Sequence, residues 1–314
     1  MSNSFWKQVT PTNLSYAPSE GLESLRINIA NYLKIYRKIN CDSSQIIITS
    51  GSLHSLYLLG NAIIDKGDNV IMENPTFPRA YNLFQSLRAQ VIPCNVGKEG
   101  IEIDEINDTK VKLIYTTPSN QYPLGIKMTK NRRIELLEWA SKNNSLIIED
   151  DYDHEFSNWT NPVPSIFDLD KEDRVIYLGT FNKLLHPSLR IGYMIIPKYI
   201  KDPIKSIYEQ SSRFVSVASQ SILNEFIIKG ELNKHIKNVI EVSKERKKLF
   251  IDQTKNSFKI SNENSGLHII GKLTNTDDDF LAYKTLLKKN VIAYPLSNYY
   301  INKEKVKGLV MGYS

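Results

Sequence analysis

Short runs of β-branched and other apolar residues alternate with segments of helical periodicity along most of this chain. Ahead of the first such run, Leu22, Leu25, Ile29, Leu33 and Tyr36 recur at intervals of three and four, which predicts an amphipathic helix over residues 20–39. QIIITSG (45–51) reads as a buried strand entering a glycine turn, with a helix from 52 to about 64 behind it. The alternation repeats: NVIMENP (69–75) and QVIPCNV (90–96) are strand candidates around a helix over 77–87. KLIYTTP (112–118) is followed by a turn-rich stretch and a helix over 129–143. SLIIEDD (145–151), RVIYLGT (174–180) and RIGYMII (190–196) complete a set of seven.

Buried strands separated by helices predict an α/β fold with a mainly parallel, seven-stranded sheet covered on both faces. Ligands of such sheets sit at the carboxyl ends of the strands, so functional residues are expected immediately after them. Beyond about residue 201 the pattern changes to two long helical segments, roughly 203–229 and 231–255, then short strands and a helix near 280–289. This predicts three stretches: an arm and helix (1–40), a large domain (41–200) and a smaller α+β domain (201–314).

Composition narrows the classes of function. At 41% hydrophobic and 24% charged residues the chain is ordinary for a soluble protein, and no apolar run approaches the ~18–20 residues that cross a bilayer. Cys41 and Cys94 show neither a disulfide framework nor metal-ligand spacing, and the N-terminus lacks a secretory pattern, so a cytoplasmic protein without a metal is expected. The net charge of +6 comes from scattered lysines, which reads as a solvated surface rather than a nucleic-acid face.

The strand ends carry the chemistry: an SGS turn at 50–52, Phe77, TPSNQYPLG (117–125), IIEDDYDHEF (147–156) and GTFNKLLHPSLRIGY (179–193). Together with RRIELLEWA (132–140) and SGLH (265–268), these segments resemble the fold type I pyridoxal 5'-phosphate (PLP) enzymes. At finer grain they resemble the aminotransferase-like domain of the MocR/GabR subgroup of GntR-type bacterial regulators, from about Phe5 to the last residue.

The resemblance implies a site. Lys183 would form the Schiff base with the cofactor aldehyde, as a buried amine kept neutral part of the time by desolvation and nearby cations. Asp150 would pair with the pyridine nitrogen and make the ring an electron sink, and Tyr152 would hydrogen-bond the ring oxygen. Glu149, Asp151 and Asp153 read as members of an ordinary acidic loop. Gly51, Ser52 and Leu53 open a helix whose free N–H groups and positive end suit the phosphate, with Thr180 and Arg190 as further phosphate contacts. Phe77 would stack on the ring, and Gln121 and Tyr122 would touch its edge.

Tyr16, in YAPSEGLESLR, would reach the phosphate of a neighbouring subunit, which implies a homodimer. Val310 stands where ordinary aminotransferases carry an arginine for the substrate carboxylate, and Arg79 is the candidate replacement. The subgroup's winged helix-turn-helix domain and its final helix have no counterpart in the sequence. Contact with DNA is therefore expected only through that absent domain, and the small domain is expected to be shortened. The functions implied are sensing of a small amino compound through an external Schiff base or, alternatively, amino transfer to a 2-oxo acid.

Overall fold

The computed structural model describes residues 5–7, 9–10, 15–106, 110–156, 162–261, 266–274, 278–302 and 305–313. Ser265 of the SGLH segment lies outside the described residues, as does Ser314. Helix α1 (Glu23–Tyr36) precedes strand β1 (Ile46–Thr49), α2 (Ser52–Ile63), β2 (Asn69–Asn74), α3 (Pro78–Ser86) and β3 (Gln90–Gly97). There follow β4 (Gly100–Ile101), β5 (Leu113–Thr116), α4 (Lys130–Lys142), β6 (Leu146–Asp150), the single turn α5 (Ile166–Leu169), β7 (Val175–Thr180) and β8 (Gly192–Ile195).

These strands form one sheet in the order β1-β8-β7-β6-β5-β2-β3-β4. From β3 to β7 neighbours run parallel, whereas β8 is antiparallel to both β1 and β7. The sheet has eight strands rather than the expected seven. The additional one, β4, is a two-residue return on the end of β3, too short to leave a periodic signal.

Side chains alternate between the two faces of a strand, and the core divides accordingly. Ile47, Val70, Met72, Leu113, Tyr115, Ile148, Ile176, Leu178 and Met194 pack on one face beneath α2 and α3 and helix α6 (Lys201–Gln210). Ile46, Ile48, Tyr177, Tyr193 and Ile195 face the other way, against α1 and helices α7 (Val217–Ile228) and α8 (Glu231–Thr254). Ile71, Ile114, Ile147 and Val175 share that second side with α4 and α5.

The first long helical segment expected after residue 201 is two helices, α6 and α7. Arg213 takes a left-handed backbone (φ 64), and the Ser216 hydroxyl accepts the Ser219 N–H at 3.4 Å as a new N-cap, so the helix stops and restarts. A second, antiparallel sheet follows, ordered β11-β12-β10-β9, with β9 at Phe258–Ile260, β10 at His268–Leu273, β11 at Tyr294–Pro295 and β12 at Leu309–Gly312. Helix α9 (Asp279–Leu287) packs on it through Ala282. Among the described residues no helix is long and apolar enough to cross a membrane.

The small sheet seats directly on the turn at 117–125. Tyr122 and Leu124 pack against Ile270, Leu296, Tyr299 and Val310, and the His268 ring donates from Nε2 to the Pro123 carbonyl at 2.7 Å. Because Ile148 is fully buried in a central strand, Ile148→Ala is expected to lower the unfolding free energy by about 2–5 kcal/mol. Urea denaturation of the cofactor-free protein measures it.

Candidate functional site

Three strand ends build one wall of the site. At the end of β6, Ile148 and Asp150 share a face with Tyr115 of the neighbouring β5, and the Tyr115 hydroxyl donates to Asp150 Oδ2 at 2.9 Å. The other carboxylate oxygen, Oδ1, is buried with no hydrogen-bond partner among the described residues. Burial pushes the Asp150 pKa up to about 6, although the Tyr115 and Ser52 hydroxyls pull it down.

Glu149 and Asp151 point to the opposite face and meet arginines. Arg133 of α4 reaches Glu149 Oε1 at 3.2 Å and also donates to the Pro118 and Met128 carbonyls. Arg37, which caps α1, donates from Nε to Asp151 Oδ2 at 2.6 Å, and the Tyr177 hydroxyl donates to the same oxygen at 2.6 Å. Burial opposes ionisation of Asp151, but Arg37, His154 and the Tyr177 and Ser119 hydroxyls together outweigh it and hold the carboxyl well below its usual range. The acidic run is therefore no solvated loop: Glu149, Asp151 and Asp153 are each at most 2% exposed. Its sequence lacked any sign of the arginines because they come from helices distant along the chain.

Tyr152 returns to the side of Asp150. Its hydroxyl donates to the Asn120 carbonyl at 3.0 Å and accepts from Asn120 Nδ2 at 3.1 Å, while burial and the Asp153 charge keep the phenol protonated. Asn120 also donates to Asp153 Oδ2 at 2.6 Å. Tyr122 is the hub of an aromatic cluster, edge-on to Phe77, Tyr152, His268 and Tyr299 at 5.2–5.8 Å between centroids.

Gln121 does not project as expected. Its amide donates to the Pro75 carbonyl at 2.7 Å, the Tyr122 carbonyl at 2.9 Å and Glu73 Oε2 at 3.3 Å, and its oxygen accepts from Leu124 N–H. With the Thr116 and Thr117 hydroxyls, which donate to Glu73 at 2.5 and 2.8 Å, it pins the turn from inside.

The second wall lies where β1 and β7 end beside the start of β8, since Thr49 and Thr180 both pair with Gly192. Gly51 follows with φ 113, a conformation open to glycine, and a Cβ there would stand 2.7 Å from Asn182 Nδ2. Ser52 and Leu53 open α2, where the first N–H groups have no partner within the helix. Thr180 Oγ1 accepts the Asn182 N–H at 3.2 Å. Arg190 lies close enough to lower the pKa of His54, which burial already depresses, and so faces the first turn of α2.

Lys183 stands in the turn after β7 and is exposed rather than buried, between Phe181 and Leu184, which both sink into the core. Its charge reaches Asp153 and His268. Burial, then Lys183 and Lys247, push His268 down to about 4, so it is neutral at pH 7. Arg79 is exposed on the first turn of α3, close enough for its charge to oppose the rise that burial causes in the Tyr122 pKa. Val310 is 5% exposed in the apolar cluster around Tyr122. Tyr16 is 75% exposed, with the Arg213 guanidinium 4.3 Å over its ring.

The family model of aminotransferase class I and II matches residues 7–307. This chain belongs to that family. It is 37% identical to the HTH-type transcriptional regulator YhdI of Bacillus subtilis (strain 168), over 94% of this chain and 63% of that protein. It is 31% identical to the probable rhizopine catabolism regulatory protein MocR of Rhizobium meliloti, over 94% of this chain and 60% of that protein. The chain thus spans about three fifths of the length of these curated relatives. An archaeal alanine:glyoxylate aminotransferase superposes with a TM-score of 0.93 at 27% identity, covering 100% of this chain and 80% of that one. Pyridoxal phosphate is the cofactor of this family. The site can accept it: Asp150 Oδ1, buried without a hydrogen-bond partner among the described residues as are Asp151 and Asp153 Oδ1, is an acceptor that a protonated ring nitrogen requires.

Asp150 also sets a pH dependence. Between its ordinary 3.8 and about 6 the folded cofactor-free protein holds a proton that the unfolded chain has lost, so its stability falls as pH rises through that window. Asp150→Asn is therefore expected to stabilise the cofactor-free protein at pH 7 by no more than about 3 kcal/mol, at 1.36 kcal/mol per pH unit. The gain should vanish below about pH 4, which thermal melts at several pH values would show.

Proposed function

We propose that this chain holds pyridoxal phosphate at Lys183 and senses a small amino compound with it, as the effector domain of a MocR/GntR-type transcriptional regulator. The observation that carries the reading is Asp150, a carboxylate buried at a strand end with one oxygen tied to Tyr115 and the other left free. Burying such a charge is unfavourable until a cation meets it. When bound, the cofactor supplies an aldehyde that condenses with primary amines and a ring that withdraws electrons.

Lys183 would hold the aldehyde carbon and Asp150 the ring N–H. Tyr152, kept protonated, would turn its hydrogen from the Asn120 carbonyl to the ring oxygen, with Phe77 over the ring face and Tyr122 at its edge. Gly51, Ser52, Leu53, Thr180 and Arg190 would surround the phosphate, joined in a homodimer by Tyr16 of the partner. Arg79 would bind a carboxylate on the amino compound, because the Val310 position offers only apolar surface. Both regulator relatives are longer than this chain, which supports a division in which another domain contacts DNA and this one binds the ligand.

A second reading, amino transfer to a 2-oxo acid, is favoured by the fold shared with the archaeal alanine:glyoxylate aminotransferase and by the Lys183 amine, which can carry a proton once released. Protein loaded with PLP is expected to show a visible absorption band that Lys183→Ala lacks while keeping its circular dichroism. GABA and D- and L-amino acids, each with 2-oxoglutarate, would then be screened for changes in that band and for product. The sensor reading expects a spectral change with at most one product per site. Repeated turnover would establish the enzyme instead, and a wild-type protein with no band would overturn both.

A further inference from the structure

We propose that Arg37 is a positioning residue for the cofactor site: from the far face of the sheet, one guanidinium fixes both the strand end carrying Asp150 and Tyr152 and the turn carrying Tyr122. The inference rests on the reading of the site given above and adds a group that does not touch the cofactor. Arg37 belongs to α1, the helix before the first strand, yet its side chain is only 10% exposed and is spent on three segments distant in sequence. Nε donates to Asp151 at 2.6 Å, Nη2 to Ser119 Oγ at 2.7 Å and Nη1 to the Val163 carbonyl at 2.9 Å, with Glu149 Oε1 at 3.7 Å.

Asp151 lies between Asp150 and Tyr152, and Ser119 lies directly before Asn120, Gln121 and Tyr122. Holding the residue that faces away from the site sets the direction of the two that face it, because neighbours on an extended chain point oppositely. The planar fork satisfies several acceptors in fixed directions, which a lysine ammonium does not.

The surrounding charges make the contact more than mechanical. Glu149 and Asp151 from β6 and its end, Arg133 from α4, Tyr177 from β7, and His154 and Glu155 beyond the strand all face this cluster. The Asp151 charge acts on Asp150 and helps to raise its pKa. Arg37 is the cation in direct contact with Asp151, so it also tempers the field felt by the ring-binding carboxylate.

The test uses the full chain with PLP itself as the probe, and compares wild type, Arg37→Lys, Ser119→Ala and the double variant. Arg37→Lys is expected to weaken PLP binding by about tenfold or more, the scale on which outer hydrogen-bonding partners act on a bound group. It should also shift the pH midpoint of the visible band. Ser119→Ala, which removes the hydroxyl that meets Arg37 and Asp151 and little volume, is expected to weaken binding about threefold. In the Arg37→Lys background Ser119→Ala should have almost no further effect, because the two act through each other. A merely structural Arg37 would lower the melting temperature and leave the Kd and the pH midpoint in place. PLP affinity within twofold of wild type in Ser119→Ala, and in Arg37→Lys if it folds, overturns the inference while the site reading stands. A wild type that binds no PLP defeats the site reading first.

Discussion

At the carboxyl end of the central strand β6 three consecutive carboxylates are buried, and the twofold period of the strand decides what each one meets. Glu149 and Asp151 project to the face covered by α1 and α4, which bring Arg37 and Arg133 to them. Asp150 projects to the face shared with Tyr115, and no ion pair to it is found among the described residues. Losing one partner of such a buried ion pair commonly costs about 3–5 kcal/mol, so the two arginines are as much a part of the fold as the apolar core around them. The carboxylate between them is left to the Tyr115 and Ser52 hydroxyls, and it takes up a proton more readily than a free aspartate.

The rest of the site is arranged about that strand end. Glu73, held by Thr116, Thr117 and Gln121, stiffens the turn that presents Asn120 and Tyr122. The small antiparallel sheet rests on the same turn through Tyr299, Leu296 and Val310. Tyr122 therefore belongs to the pocket and to the junction between the two sheets at once, and a ligand that touches it also touches the surface along which they meet. Where an arginine was expected to be missing, the structure has an apolar contact that holds the sheets together.

Much of this was legible in the sequence because strands buried on both faces read as unbroken apolar runs. All seven expected runs became strands, and the residues singled out at Gly51, Phe77, Asp150, Tyr152, Thr180 and Arg190 all follow or border strand ends in the folded chain. What escaped was information carried by distance. Arg37 sits at the end of an amphipathic helix and Arg133 inside another, where arginines ordinarily reach solvent, and their carboxylates lie 114 and 16 residues away along the chain. The EDDYD segment looks like a loop until it is known which helices cover each side of β6. Gln121 was expected at the ring edge; its amide bonds to its own turn and to the buried Glu73 behind it, a partner distant in sequence. Lys183 was expected to be buried and is exposed, although its charge reaches the buried Asp153 and His268.

The reversal of β8 against both its neighbours ties together parts of the chain that a wholly parallel sheet would keep apart. Running backward between β1 and β7, it begins where they end, so one excursion from Phe181 to Ile191 carries both Lys183 and Arg190 past the same edge of the sheet. Gly192 closes the arrangement, with room for no side chain against Gly51. An insertion or deletion in that hairpin would displace both side chains together, which makes its length, more than the identity of most of its residues, the dimension that fixes where they stand relative to the end of β1.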